Sequence, residues 1–212
     1  MSTGDDRSTD TVGSTPEAPP LPWRVKGNAC LGVFTLARPM DLRGGVTALA
    51  ARRLLVAVTR HHGGDVCYDS LTVGTLARRG RTVGFVQHHN GIDDPSIRSA
   101  FRKLLCIPAE PSTFTWSDTT VSVTSEGTSV DVSWHPRSRF SLPLPMHFPY
   151  FMWDDGRLGC VPVPGRATAG PITMCISHWP DHFPELARHD SSVALRLNFA
   201  MTVRPPHMLD SK

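Results

Sequence analysis

A β-rich α+β domain is the fold class this sequence predicts, and three observations carry the prediction. Short segments in which large apolar and polar residues alternate recur along most of the chain. Seventeen glycines and nineteen prolines among 212 residues favour many turns over long helices. Only one segment has a full set of helix signals. Many short strands leave unpaired edges unless the sheet bends back on itself, so a closed or strongly curved sheet is expected.

The elements follow in order. Residues 1–20 are rich in Ser, Thr, Asp, Gly and Pro, with Val12 the only large aliphatic after Met1. Such a segment buries too little apolar surface to offset the entropy of ordering, and a disordered polar tail is expected there. The folded domain is placed at 21–206, opening near Pro22-Trp23-Arg24 and a strand over Ala29–Leu36, with a short tail at 207–212. Val46, Leu49, Ala50 and Arg53 have helical spacing, although Gly44-Gly45 weakens a helix over 42–53. Leu54–Arg60 and Val66–Leu76 read as strands joined by the polar turn His61-His62-Gly63-Gly64, and Thr82–His88 as a further strand.

Asp94 suits an N-cap and Pro95 the first helical position, where its missing N–H costs nothing. Ile97, Ala100, Phe101, Leu104 and Leu105 then mark one buried face, with Arg98, Arg102 and Lys103 off it. Pro108 ends the helix, and Ala109–Trp116 should leave it extended. Val121 and Val123, a turn at Ser125-Glu126-Gly127, then Val130, Val132 and Trp134 read as a hairpin. Val193, Leu195, Leu197, Phe199, Met201 and Val203 alternate with Ala194, Arg196, Asn198, Ala200 and Thr202 as the last strand.

Composition narrows the function. A net charge of +3 is too small to argue for nucleic acid. Five separated cysteines without a Cys-x-x-Cys pair fit core thiols in a reducing compartment better than disulfides or structural zinc. The N-terminus is acidic and polar, unlike a secretory signal, and no apolar run is long enough to span a bilayer. A cytoplasmic protein with no membrane partner and no cofactor is expected. Three of the 22 basic residues are lysines, Lys26, Lys103 and Lys212.

The stretch from Asp93 to Glu110, DDPSIRSAFRKLLCIPAE, resembles the acetoacetate decarboxylase-like superfamily. There a short helix carries an Arg-Glu pair and is followed by an aromatic residue or Ile, then Pro, then Lys. Arg102-Lys103 takes the place of the pair, Ile107-Pro108 precedes the lysine position, and that position is Ala109. The resemblance covers most of Pro22–Pro206 and is specific between Tyr68 and Glu110. It implies a closed or cone-like antiparallel β-barrel with a few peripheral helices, an internal pocket for a small carbonyl or carboxylate compound, and a homo-oligomer.

Decarboxylases of this kind attack a β-keto acid with a lysine amine whose pKa is lowered by burial or by a neighbouring cation. A second lysine directly follows the first in them; here Glu110 follows Ala109. The superfamily's Tyr-x-Glu-Leu becomes Tyr68-Asp69-Ser70-Leu71, with Ser70 at the acid position and Asp69 expected on the opposite face. An earlier acid falls near Leu55-Val56, and an Arg near Gly27-Asn28 beside Lys26. The pocket candidates are Tyr68, Ser70, His88, Arg102, Pro108, Ala109 and Glu110, with no confident catalytic residue. Lys26 and Lys103 read as solvated amines.

His61-His62 and His88-His89 are adjacent pairs, and strand neighbours point to opposite faces, so one of each pair at most should join a given pocket. His178 and His182 are four apart but separated by Pro180, and with His147 and Asp93-Asp94 they form no compact metal motif. Ser70 with a histidine lacks the Gly-x-Ser-x-Gly elbow of a hydrolase. Phe148–Trp153 and Trp179 suit core, subunit contact or pocket lining. Three functions stand: a non-decarboxylating binding or structural homologue; a lyase-type enzyme using Ser70, Glu110, Tyr68 or a histidine without an imine; and a metal-dependent enzyme on a similar barrel.

Overall fold

The computed structural model describes residues 17–42 and 44–209, so the expected tail at 1–20 lies outside them up to residue 16. In chain order its strands are β1 (Trp23–Thr35), β2 (Thr47–Ala48), β3 (Arg53–Gly64), β4 (Tyr68–Arg79) and β5 (Thr82–Ile92). The helix α1 (Pro95–Leu104) comes next, followed by β6 (Glu110–Pro111), β7 (Thr113–Trp116), β8 (Thr120–Ser125) and β9 (Thr128–Pro136). The last are β10 (Leu142–His147), β11 (Tyr150–Asp154), β12 (Arg157–Val161), β13 (Pro164–His178), β14 (Val193–Val203) and β15 (His207–Met208).

One sheet holds them all, in the order β15-β12-β11-β5-β4-β3-β1-β14-β13-β9-β8-β7, with β10 added to β13, β2 to β4 and β6 to β5. The path ends on β15 and β7, which do not pair with each other. Among the described residues the sheet is therefore not closed by hydrogen bonds, so of the closed or cone-like barrel expected, the closed form is not confirmed. Strands of two and four residues stand at its ends, too short to form a seam and short enough to limit edge pairing. The sheet is also not purely antiparallel, because β5 pairs in parallel with both β11 and β6.

The central strands explain how one sheet supports two cores. In β1 the buried residues Trp23, Val25 and Ala29 belong to one apolar cluster, whereas Cys30 and Phe34 belong to another. Adjacent residues of a strand face opposite sides, so the buried face changes between Ala29 and Cys30. The change falls on one line across three strands: Ala29 pairs with Thr59 and Thr59 with Ser70, while Cys30 pairs with Val58 and Val58 with Leu71. On one side α1 covers the sheet through Ile97, Ala100 and Phe101. On the other, the β8–β9 hairpin covers it with Val121, Val123, Val130, Val132 and Trp134. The last strand follows suit: Leu197, Phe199 and Val203 lie in the first cluster and Ala194 in the second, while Val193 is exposed.

Several expectations are corrected. Among the described residues there is one helix rather than a few, and 42–53 contains turns and the two-residue β2 instead of a helix. Gly44-Gly45, both at positive φ, break the helical spacing. His61–Gly64 is not a turn but the end of β3, held by pairing to β1, and the connection shifts to 65–67. The extended run after Pro108 divides into β6 and β7. His207 and Met208, assigned to a tail, pair with β12. The hairpin turn stands as expected, with Glu126 and Gly127 at positive φ. Within Phe148–Trp153, Phe151 and Met152 are core and Phe148 is exposed. No helix of the described residues is long and apolar enough to cross a membrane.

Candidate functional site

Helix α1 fixes the segment that carries Ala109. The Asp94 carboxylate accepts hydrogen bonds from the backbone N–H groups of Ser96 (2.8 Å) and Ile97 (3.0 Å), with Pro95 in the first turn. Leu105 is buried past the helix end, while Leu104, expected on the same face, is 43% exposed. Leu104 is the last residue of the helix, where no further turn covers it. Arg102 Nε donates to the Ala109 carbonyl at 2.6 Å, which draws the departing chain back along the helix. Ala109 itself is 1% exposed inside the first cluster with Trp23, Ile92 and Phe101, and Pro108 is on the surface.

Tyr68 and Ser70 lie on that same side of the sheet. Tyr68 is buried, stacks on His61 with ring centroids 4.0 Å apart and meets Phe101 edge-on. Burial drives the Tyr68 hydroxyl far above its ordinary pKa and lowers that of His61 to about 3, with the charge of His62 adding to the latter. Ser70 is buried between Thr59 and Ile92. Asp69 faces the other way, as expected: its carboxylate accepts from Trp116 Nε1 at 2.6 Å and lies 3.6 Å from Arg60 Nε. Tyr68, Ser70 and Ala109 are thus buried on this side of the sheet, and Arg102 ties the Ala109 carbonyl to the helix.

Two clefts open on the opposite face. In the larger, of about 430 Å³, Asn28, Arg60, Trp116, Thr168, Arg196 and Asn198 are among the lining residues. Four of them form one register row across the sheet: Arg60 pairs with Asn28, Asn28 with Asn198 and Asn198 with Thr168. The Arg60 guanidinium lies over the Trp116 ring at 4.6 Å, which holds its planar donors in place. Burial pushes the neighbouring Cys30 thiol up to about 12, partly opposed by Arg196, so it remains a thiol. Asn28 Nδ2 lies 3.1 Å from His62 Nε2, and Asp118 shares the lining with the two arginines.

The smaller cleft, about 330 Å³, joins Glu110 to His89, His182 and Phe183. His89 Nδ1 is 3.4 Å from a Glu110 carboxylate oxygen. Burial lowers the His89 pKa, partly opposed by Glu110, with His182 acting in the same direction as burial. His88 was the sequence candidate, yet its Nε2 is 2.9 Å from Thr75 Oγ1 and burial lowers its pKa. The pair also breaks the rule of opposite faces. Val73 pairs with His89 and Gly74 with Gln87, so His88 is the extra residue of a bulge, and a bulge turns both rings toward the side of Leu71 and Thr75. Likewise His62 is the unpaired residue at a bulge in β3. Among the described residues no three His, Cys, Asp or Glu side chains converge as metal ligands.

Arg60, Arg196, Asn198 and His89 were not singled out from the sequence. Arg196 and Asn198 stood on the polar side of a clearly alternating strand, where solvent was the simplest partner. Their one available signal was the strand's alignment with Asn28, which depends on pairing 170 residues apart.

Comparison with solved structures decides the architecture. An enduracididine biosynthesis enzyme, MppR, complexed with pyruvate superposes with a TM-score of 0.69 at 10% identity, covering 94% of this chain and 95% of that one. The acetoacetate decarboxylase of Legionella pneumophila gives 0.67 at 10% identity, covering 92% and 90%. The fold is that of acetoacetate decarboxylase. An acetoacetate decarboxylase-like enzyme from Sphingomonas wittichii gives 0.59 at 13% identity, covering 93% and 95%. No family model and no curated protein matches the sequence.

Proposed function

We propose that this chain is an acetoacetate decarboxylase-like protein that binds a small carbonyl or carboxylate compound without forming an imine. The observation that carries the reading is Ala109, at the position the resemblance assigns to the lysine: it is sealed in an apolar cluster at 1% exposure. Lys26 and Lys103 are both exposed, and neither belongs to that cluster. The ligand site in this reading is the register row of Arg60, Asn28 and Asn198 with Arg196, whose guanidinium and amide donors match a carboxylate. The fold neighbour complexed with pyruvate supports a 2-oxo acid as the first compound to try.

The reading that keeps lyase chemistry without a lysine called for a deeply buried Glu110 or a His88 aimed into a cleft. The Glu110 side chain is 46% exposed and His88 is engaged by Thr75, which favours binding over catalysis. Acetoacetate followed by borohydride is expected to leave the protein's mass unchanged, and an adduct mapped to Lys26 or Lys103 would overturn the reading. Calorimetric titration with pyruvate should show saturable binding that weakens about tenfold in Arg196→Gln, as expected for loss of one charge-assisted contact.

A further inference from the structure

The smaller cleft differs in charge from the one lined by Arg60, Arg196 and Asp118. Its charged lining residues are two carboxylates, Glu110 on the wall and Glu126 from the hairpin turn. The apolar wall comes from Leu71, Val123, Val130 and Phe183. Phe183 is the centre of an aromatic group: His89, Trp179 and His182 lie 4.7, 4.9 and 4.6 Å from its ring centroid. His89 is 9% exposed, and its Nδ1 faces the Glu110 carboxylate at 3.4 Å.

The local backbone was shaped to bring these groups together. β6 pairs in parallel with the end of β5, Gly91 opposite Glu110, which sets Glu110 beside the strand that carries His89. Gly91 allows the approach: a Cβ there would lie 2.4 Å from Ser112 Oγ and 3.5 Å from His89 Nε2. A larger residue there would displace the Ser112 side chain and crowd the His89 ring.

We propose that this cleft binds a small organic cation with an apolar body, with Glu110 as its counter-ion and Phe183 as the ring on which it rests. A cation gains from the face of an aromatic ring and from a carboxylate held in a partly desolvated site. Burial lowers the His89 pKa, which weakens its competition with a cationic ligand for the Glu110 carboxylate. An anionic ligand would meet two carboxylates at once. The volume is at the low end for small-molecule sites, which suits a single ring or a short branched chain bearing one amine. The proposal is independent of the carboxylate reading of the larger cleft.

Benzylamine and benzyl alcohol separate the charge from the apolar body and serve as probes, with the histidine ring protons of the full chain followed by NMR at pH 7.5. Benzylamine is expected to bind saturably in the millimolar range and to shift the His89 and His182 resonances, with benzyl alcohol at least tenfold weaker. Glu110→Gln should weaken benzylamine about tenfold and leave benzyl alcohol unchanged. Glu126→Gln, at an exposed turn where folding is not at stake, should weaken it two- to threefold. Absence of benzylamine binding, equal affinity for amine and alcohol, or indifference to both substitutions would each overturn the proposal. Pyruvate binding, tested in parallel, should be unchanged in Glu110→Gln; its loss in the parent protein would count against the carboxylate site alone.

Discussion

At the scale of single residues, the two most informative side chains are His61 and Ala109, both in the first apolar cluster's surroundings. His61 is 5% exposed, stacks on Tyr68 and has its Nδ1 buried without a hydrogen-bond partner. Its pKa is lowered from about 6.5 to about 3 on folding, so the unfolded chain binds the proton more readily. Its contribution to stability is therefore complete above pH 6.5 and is lost as the pH falls from there toward 3, by up to about 1.4 kcal/mol per pH unit. Urea unfolding at pH 7.5, 5.5 and 4.5 is expected to show this loss, and His61→Phe, which keeps the stack, should flatten it. Identical pH dependence in the two proteins would mean that the ring is hydrated in solution.

Ala109→Lys tests the neighbouring position. An amine placed in a site with 1% exposure meets packed apolar groups, and the substitution is expected to cost about 3 kcal/mol or more. It should also fail to decarboxylate acetoacetate, because Glu110 follows it in sequence and a carboxylate nearby favours the protonated amine. Turnover by this single variant would show that the surrounding cluster can open around a lysine.

At the scale of elements, α1 shows how far local signals reach. Asp94, Pro95 and the apolar spacing located its start, and the structure has the capping carboxylate bonded to two backbone N–H groups. Asp94→Ala should lower stability by about 1 kcal/mol, read from chemical unfolding; a neutral result would mean that packing by Ile97, Ala100 and Phe101 alone holds the helix. The hairpin β8–β9 and the strand β14 were equally legible, since alternation and a Gly turn are local properties. The bulges in β3 and β5 were not. A bulge is decided by the partner strand, and the two histidine pairs sit on the bulges, so the rule of alternating faces failed at the positions where it limited each pair to one pocket residue.

At the scale of the whole molecule, the boundary of the folded domain can be tested. Trp23 Nε1 donates to the Pro19 carbonyl at 2.7 Å, and Ala18 packs against the first cluster. A chain beginning at Glu17 is expected to melt with the full-length protein. One beginning at Leu21 loses about one hydrogen bond, worth about 1 kcal/mol, and should melt about 2–4 °C lower. Equal melting of all three would show that the contact adds nothing. Phe140, Leu142 and Phe148 are 63%, 56% and 44% exposed around β10, which leaves apolar side chains there for a second copy to cover. We propose that this region is covered by self-association. Light scattering at micromolar concentration should return a mass above the 23.2 kDa of one chain, and a monomeric mass would reject it.

The sequence by itself determined the β-rich class, the helix with its cap, the hairpin, the last strand and the opposite facing of Asp69 and Ser70. Each depends on residues within a few positions of one another, and alternation, capping and turn chemistry act over that range. Tertiary structure alone decided that the buried face changes along one line through Ala29, Thr59 and Ser70, because that line exists only once three strands are in register. It decided likewise that Asn28, Arg60, Asn198 and Thr168 share a row and that Glu110 meets His89 rather than His88. These are pairings between distant segments, and pairing is a property of the assembled sheet that no strand carries alone.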